Sequence, residues 1–160
     1  MKQPPAADTG QTLPARLPGD RGPTVDAPLL LDGGMGQELI RRGAEPSPAM
    51  WAAWALLHDP GLVAAVHADY VAAGVDVLTT NTYSTFADRL EPAGFGDRAD
   101  ELTRLAGRLA REAADAADRD VVVAASLPPL RNSYNPAPDA GYDELLGEYR
   151  EMVGSLTDSV

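Results

Sequence analysis

Residues 74–83, with the sequence GVDVLTTNTY, decide the fold. Gly74 is suited to end a helix, because glycine readily accepts the left-handed backbone that commonly follows the last helical turn. Residues 75–78, VDVL, then form a short, mainly apolar segment of the kind that a buried strand requires, and polar residues follow at once. A helix end, a buried strand and a polar loop in this order predict a βα type of fold.

The same order occurs on both sides of this stretch. Upstream, residues 29–31 are three leucines that lead into the glycine-rich turn DGGMG at 32–36. Downstream, residues 121–125 read VVVAA and end at Ser126. A continuous apolar run is typical of a strand that is covered on both faces, as in parallel sheets. The sequence therefore predicts the α/β class, with three consecutive parallel strands in one domain over residues 28–160.

Helices are expected between these strands. The Ser-Pro pair at 47–48 and the Asp-Pro pair at 59–60 each offer a cap residue followed by a proline, which suits the first helical turn. Apolar residues recur at helical spacing over residues 97–117, which predicts one face packed on the sheet. A last helix is expected from Tyr142 onwards.

Composition narrows the classes of partner. The 160 residues hold 24 acidic and 13 basic side chains, a formal net charge of −11, which argues against nucleic acid and anionic membranes as partners. The chain has no cysteine, which excludes a disulfide framework and a thiolate metal site built from this chain alone.

The two proline-rich stretches have separate interpretations. Residues 1–27 carry five prolines and almost no large apolar side chain, so we expect a disordered leader. They contain no apolar segment of a secretory signal, and no apolar window long enough to span a bilayer occurs, so a cytoplasmic location is expected. Residues 127–138 form a long proline-rich loop after the third strand, in which Arg131, Asn132 and Tyr134 either approach a ligand or are ordinary exposed residues.

Polar residues follow each of the three predicted strands. They are Asp32, the group Thr80, Asn81 and Thr82, and Ser126. Because parallel strands place their carboxyl ends at one edge, these side chains are expected on one rim, where α/β enzymes keep their active sites.

Three ordered motifs together resemble the homocysteine S-methyltransferase family. They are LDGGMG at 31–36, GVDVLTTNTY at 74–83 and VAASLPP at 123–129, and the resemblance covers roughly residues 28–160. It implies a TIM (β/α)8 barrel, of which this chain holds about the first three βα units. A complete barrel has about 250 residues, so a C-terminal half is expected to be missing and to act as a partner.

The resemblance also implies the chemistry. Family members bind homocysteine, coordinate its sulfur to zinc, and let the thiolate attack a methyl group on an activated small-molecule donor. A metal-bound thiol is deprotonated, whereas a free thiol with a pKa near 8.5 is largely protonated at neutral pH. The substrate-binding residues that we carry over are Asp32, Gly33, Asn81, Thr82 and Ser126.

The family's zinc ligands are cysteines on later strands, so neither catalytic residues nor metal ligands are assigned here. His58 and His67 lie on separate helical stretches and cannot replace three or four convergent ligands, so both are interpreted as surface or packing residues. We therefore expect no zinc bound to this chain alone.

Other interpretations stay open at this point. Asp32 can cap its own glycine turn, and Asn81, Thr82 and Ser126 can satisfy backbone groups where strands end. Trp51 and Trp54 are three residues apart on one helical face, which favours core packing or contact with a partner over stacking on a cofactor. The chain as a whole can be a non-catalytic fragment, one half of a split protein, or a Rossmann-like nucleotide binder, although its glycines are in the wrong register for the last.

Overall fold

The computed structural model describes residues 28–45, 47–130 and 141–160, and combines helices with a small parallel sheet. The helices and strands, in chain order, are α1 Met35–Arg41, α2 Ala53–His58, α3 Pro60–Ala72, β1 Val77–Thr79, α4 Ala87–Leu90, α5 Ala99–Asp115, β2 Val122–Ala124 and α6 Tyr142–Leu156. Two 3-10 turns, Glu91–Ala93 and Gly96–Arg98, connect α4 to α5. The predicted leader at 1–27 and loop residues 131–138 lie outside the described residues.

The sheet is centred on β1. It pairs in parallel with β2, Val77 opposite Val122 and Thr79 opposite Ala124. On its other side, the predicted first strand at 29–31 makes one parallel bridge, between Leu31 and Val77. The predicted α/β class and parallel direction are confirmed. The prediction of a full first strand is wrong among the described residues, since the pairing is limited to one bridge. All three leucines are exposed, so they lack the packing that stabilises a strand in a sheet.

The core lies between the helices and the sheet. One cluster of buried side chains joins α2, α3 and α5, with Leu56, Val63 and Leu102 among its members. A second cluster packs α5 against both strands. The predicted apolar stripe of α5 is confirmed, since Leu102, Ala106, Ala110 and Ala114 recur every four residues and are buried.

Local signals fix some helix ends well. The Asp59 carboxylate accepts a hydrogen bond from the Leu62 backbone N–H at 3.0 Å, and Pro60 begins α3, as predicted. Gly74 follows that helix with a φ of 97°, in the left-handed region that favours glycine.

The Ser-Pro pair at 47–48 behaves differently from its predicted role. The Ser47 hydroxyl accepts from the Met50 N–H at 3.2 Å, yet α2 begins only at Ala53. Between them, Trp51 has a φ of 51°, which interrupts the right-handed helical path. The helix predicted to follow this Ser-Pro pair is therefore a turn followed by a short helix.

The last helix, α6, and the residues that follow it pack against α5. Gly107 of α5 lies where an added Cβ would come within 2.8 Å of the Ser159 side chain, so a glycine is needed for this close approach. The Arg111 guanidinium donates to the Ser159 carbonyl oxygen at 3.1 Å. Among the helices of the described residues, none has the length and apolar character needed to cross a membrane.

Candidate functional site

Asp32 is oriented by the neighbouring strand. One carboxylate oxygen accepts from the Thr79 backbone N–H at 2.8 Å, and the other accepts from the Thr79 hydroxyl at 2.8 Å. The Asp32 backbone N–H donates to the Val77 carbonyl at 3.0 Å. Partners 47 residues away therefore hold this half-buried carboxylate at the carboxyl end of β1. These bonds differ from the alternative in which Asp32 caps its own turn.

Gly33 follows Asp32 on an exposed part of the turn, beneath the ring of Tyr70 from α3. A Cβ at position 33 would lie 2.7 Å from the Tyr70 hydroxyl oxygen and 3.2 Å from two ring atoms. Glycine is required here by the close approach of this rigid side chain. The absence of a side chain also leaves the Gly33 backbone accessible at the rim.

Hydrogen bonds between hydroxyls and backbone join the ends of β1 and β2. The Thr82 hydroxyl donates to the Ser126 carbonyl at 2.7 Å, and the Ser126 N–H donates to the Thr80 hydroxyl at 3.1 Å. The two threonine oxygens are 2.7 Å apart. Because the Thr82 hydrogen is already used, Thr80 donates to Thr82 in this pair. Thr82 and Ser126 are thus brought together, and the Thr82 side chain is fully buried.

Asn81 is connected to the loop before α2. Its side-chain nitrogen donates to the Ala52 carbonyl at 3.0 Å, and 5% of the residue surface is exposed. The ring of Trp51, in the same loop, stacks with the ring of Tyr83 at a centroid distance of 6.1 Å. The Arg89 guanidinium carbon lies 4.9 Å from the Trp51 ring centroid.

This aromatic cluster was not expected from the sequence. The predicted shared helical face of Trp51 and Trp54 is wrong, because Trp51 precedes the helix that carries Trp54; 45% of Trp51 is exposed. Its left-handed backbone turns the ring towards the strand-end loop, which no local pattern in the sequence signals. Strained non-glycine residues of this kind are concentrated at functional sites.

His67 is a titratable side chain in the interior of the protein. It is completely buried in α3, and neither ring nitrogen has a hydrogen-bond partner among the described residues. Burial lowers the pKa of His67, while the Asp32 charge acts in the opposite direction. The imidazole is therefore held neutral at physiological pH. Its burial fits the predicted packing role, and His58 is exposed, with its ring against that of Trp54.

Three cavities formed by described residues lie elsewhere. One of about 880 Å³ lies beside β2 and the end of α5, and one of about 690 Å³ lies between α4, α5 and α6. A third, of about 370 Å³, is mostly apolar and has Trp51 as part of its wall. None of these three includes a predicted substrate residue.

One protein-family model matches most of this chain. The model of the family described as homocysteine S-methyltransferase matches residues 29–159, nearly the whole of the described part. The chain belongs to the homocysteine S-methyltransferase family. The predicted family is thereby confirmed, and the Rossmann-like alternative is excluded.

Relatives within this family are matched over part of their length. Homocysteine S-methyltransferase 4 of Zea mays is 38% identical over 85 residues, which are 52% of this chain and 25% of that protein. Homocysteine S-methyltransferase of Escherichia coli is 40% identical over 70 residues, 44% of this chain and 21% of that protein. The matched segment of the chain spans about a quarter of the length of these curated relatives.

A solved structure extends the likeness. The homocysteine methyltransferase MmuM from Escherichia coli, in a metallated form, superposes with a TM-score of 0.69 at 28% identity, covering 84% of this chain and 52% of that one. An oxidized form of the same protein gives a TM-score of 0.72. The mixed helix and strand arrangement therefore matches about half of a homocysteine methyltransferase fold.

The described residues of this family member do not fit a zinc centre. The sequence has no cysteine, and the described residues contain no group of three histidine, cysteine, aspartate or glutamate side chains that could hold a metal ion. The buried His67 is a single imidazole, whereas zinc needs at least three convergent protein ligands. No step of the chemistry can be assigned to a metal held by these residues.

Proposed function

We propose that this chain supplies the amino-acid-binding rim of a homocysteine S-methyltransferase, in which a methyl group passes from an activated small-molecule donor to the homocysteine thiol, giving methionine. The observation that carries the proposal is the Asp32 carboxylate, oriented by two hydrogen bonds at the mouth of the first βα unit. The family membership supports the reaction class.

The proposed role of Asp32 is to bind the ammonium group of homocysteine. Each carboxylate oxygen accepts one hydrogen bond from Thr79, and an ionised carboxylate has further lone pairs for a charged donor. Hydrogen bonds between an ammonium and a carboxylate are among the strong ones. The amide of Gly33, an exposed residue next in the chain, is proposed to donate to the carboxylate at the same end of the ligand.

Asn81, Thr82 and Ser126 are proposed to complete the rim in different ways. The Thr82 side chain is buried and donates to Ser126, so it fixes the separation of the two strand-end loops. Asn81 secures the loop that carries Trp51. Ser126 is half-buried, and its side chain is proposed to face the ligand. The rim is therefore prearranged before the ligand arrives, which lowers the cost of binding.

The complete enzyme is proposed to be a (β/α)8 barrel with this chain as its first three βα units. Three parallel segments in chain order, with helices packed on them, support that arrangement. Activation of the thiol is proposed to need residues that this chain does not contain, since it offers no thiolate and no metal-binding cluster among its described residues. In the family this chemistry falls to zinc ligands, which we place in a C-terminal half.

The experiment compares the 160-residue chain with a chimera in which residues 28–160 replace the matching segment of the Escherichia coli relative. We expect the chain alone to lose zinc on dialysis against a mild chelator and to form no methionine, while the chimera forms methionine. Methionine production by the chain alone would show that it is a self-sufficient enzyme, and stoichiometric zinc that survives dialysis would show that it has a metal site of its own. A folded but inactive chimera would refute the proposed function and favour a non-catalytic fragment.

A further inference from the structure

Arg89 occupies an unusual position beside the rim. It lies in α4, directly after the loop that follows β1. Its guanidinium carbon lies 4.9 Å from the centroid of the Trp51 ring. One of its nitrogens donates to the Pro48 carbonyl over a long 3.4 Å. A cation–π contact uses the charge of the guanidinium and leaves most of its N–H groups for other partners.

No carboxylate of the described residues pairs with Arg89. Arg108, Arg119 and Arg150 of the described residues share this lack of an ion pair, so the position of Arg89 against the Trp51 ring is what distinguishes it. Salt bridges to aspartate or glutamate are made by Arg41, Arg42, Arg98, Arg104 and Arg111. Arg89 is half-buried, so its guanidinium is also partly withdrawn from water. A partly buried guanidinium with N–H groups left for other partners is suited to an anionic ligand.

The loop beneath Arg89 is held in a strained shape. Trp51 has a φ of 51°, and bulky side chains rarely adopt that region of backbone space. The Asn81 side chain fixes the next residue, Ala52, and Tyr83 stacks on the Trp51 ring. These contacts keep the indole in place as a platform, so the arginine needs little ordering when a ligand binds.

We propose that Arg89, resting on Trp51, binds the carboxylate of an amino-acid ligand at this rim and so determines specificity for carboxylate-bearing substrates. This inference rests on the proposed function and deepens it. The planar guanidinium matches a carboxylate through two parallel N–H to oxygen bonds, a geometry that lysine cannot reproduce. The carboxylate can belong to the thiol acceptor or to the methyl donor, and both sources share this chemistry.

The test is a binding titration of the 160-residue chain, followed by tryptophan fluorescence. Trp51 and Trp54 are its two tryptophans, so a Trp54→Phe background assigns the signal to Trp51. One pair of probes is homocysteine and 3-aminopropane-1-thiol, which lacks the carboxylate. The other pair is trimethylglycine and tetramethylammonium. We expect a saturable response to the carboxylate-bearing member of one pair only, which also identifies the source as acceptor or donor.

Variants then assign the response to Arg89. Arg89→Gln should weaken binding about ten- to a hundred-fold, the range expected for loss of a charge-assisted hydrogen bond. Arg89→Lys should keep the charge and recover only part of the affinity. Arg108→Gln is the matched control, because it removes an exposed arginine from α5. This variant should bind the same probe with the affinity of the parent chain. Circular dichroism checks that each variant is folded.

The inference is overturned if neither carboxylate-bearing probe changes the Trp51 signal more than its counterpart, or if Arg89→Gln and Arg108→Gln behave alike. These results are independent of the methyl-transfer assay. An inactive chimera with Arg89-dependent carboxylate binding would refute the proposed function alone. An active chimera without such binding would refute only the role of Arg89.

Discussion

The two flanks of the central strand β1 are held in different ways. On one side, β2 pairs over three residues and buries Val123 against α5. On the other side, the leucines at 29–31 are 41 to 58% exposed and pair at one bridge. That second flank is attached by backbone hydrogen bonds between residues 30–32 and 76–77, and by two aspartates: Asp76 accepts from the Leu30 N–H, and Asp32 accepts twice from Thr79. Burial secures one flank, while hydrogen bonds of the backbone and of two aspartates secure the flank that carries the proposed site.

The largest effect is expected on the buried flank. Val123→Ala removes two methyl groups from a side chain that is 5% exposed, between the sheet and α5. The free energy of unfolding should fall by about 1.5 to 3 kcal/mol, from lost burial and the cavity left behind. Urea denaturation measures this directly. A loss below about 0.5 kcal/mol would show that burial does not secure this flank.

Thr82→Val tests the polar connection between β1 and β2. The substitution keeps the shape but leaves the Ser126 carbonyl without its donor, at a position where Thr82 is fully buried. We expect a loss of about 1 to 2 kcal/mol in unfolding free energy. Thr157→Val is the matched control, because this exposed hydroxyl bonds only within the end of α6 and should change stability little. Equal losses in both variants would argue against a special role for the rim network.

His67 gives a pH-dependent test of the flank that carries Asp32, because the Asp32 charge acts on the pKa of this histidine. Burial lowers the pKa of His67 in the folded protein, so below pH about 6.5 the unfolded chain binds a proton that the folded chain does not. Stability should therefore fall as pH drops from about 6.5 towards the folded pKa, by at most about 1.4 kcal/mol per pH unit.

The measurement is the urea unfolding free energy at several pH values between 7 and 5.5. His67→Leu should remove this slope, whereas the exposed His58→Gln should retain it. Parallel curves for the parent and His67→Leu would mean that the buried imidazole does take up a proton in the folded state.

The smallest effect is expected at the exposed flank. Leu30→Ala truncates a side chain that is 53% exposed and leaves its backbone hydrogen bonds to residue 76 intact. The change in unfolding free energy should stay below about 0.5 kcal/mol, in contrast to Val123→Ala. Both variants are compared in the same urea series. A cost equal to that of Val123→Ala would show that a further surface covers Leu30 in solution.

Elements with strong local signals could be predicted from the sequence. The apolar stripe of α5, the Asp-Pro start of α3 and the glycine after it each depend on residues within one or two helical turns. The apolar runs of β1 and β2 are also local, and parallel direction follows from the helices between them. The placement of Asp32, Asn81 and Ser126 at strand ends follows from the same topology.

Features that depend on distant partners could not be predicted. The leucines at 29–31 have the composition of a strand, but composition does not state whether a neighbour covers them. Trp51 has a left-handed backbone, its ring stacks on Tyr83, and Asn81 donates to the carbonyl of the next residue, Ala52; both partners lie about 30 residues further along the chain. The two bonds from Thr79 to Asp32 likewise join residues 47 apart. Tertiary contacts of this kind leave no periodic trace in the sequence.

The central claim is that the Asp32 carboxylate binds the ligand and is not only a support for β1. Asp32→Asn removes the charge but keeps an oxygen that can accept from the Thr79 N–H, so it separates these two roles better than alanine does. The matched control is Asp76→Asn on the same flank, where the carboxylate accepts from the Leu30 N–H at 2.8 Å.

The most direct measurement is the homocysteine KM of the chimera, taken together with its melting temperature. Asp32→Asn should raise KM about ten- to a hundred-fold, as loss of a charge-assisted hydrogen bond predicts, with little change in melting temperature. Asp76→Asn should leave KM near the parent value. An unchanged KM for Asp32→Asn, with a large drop in melting temperature, would contradict the account and leave Asp32 as a structural residue.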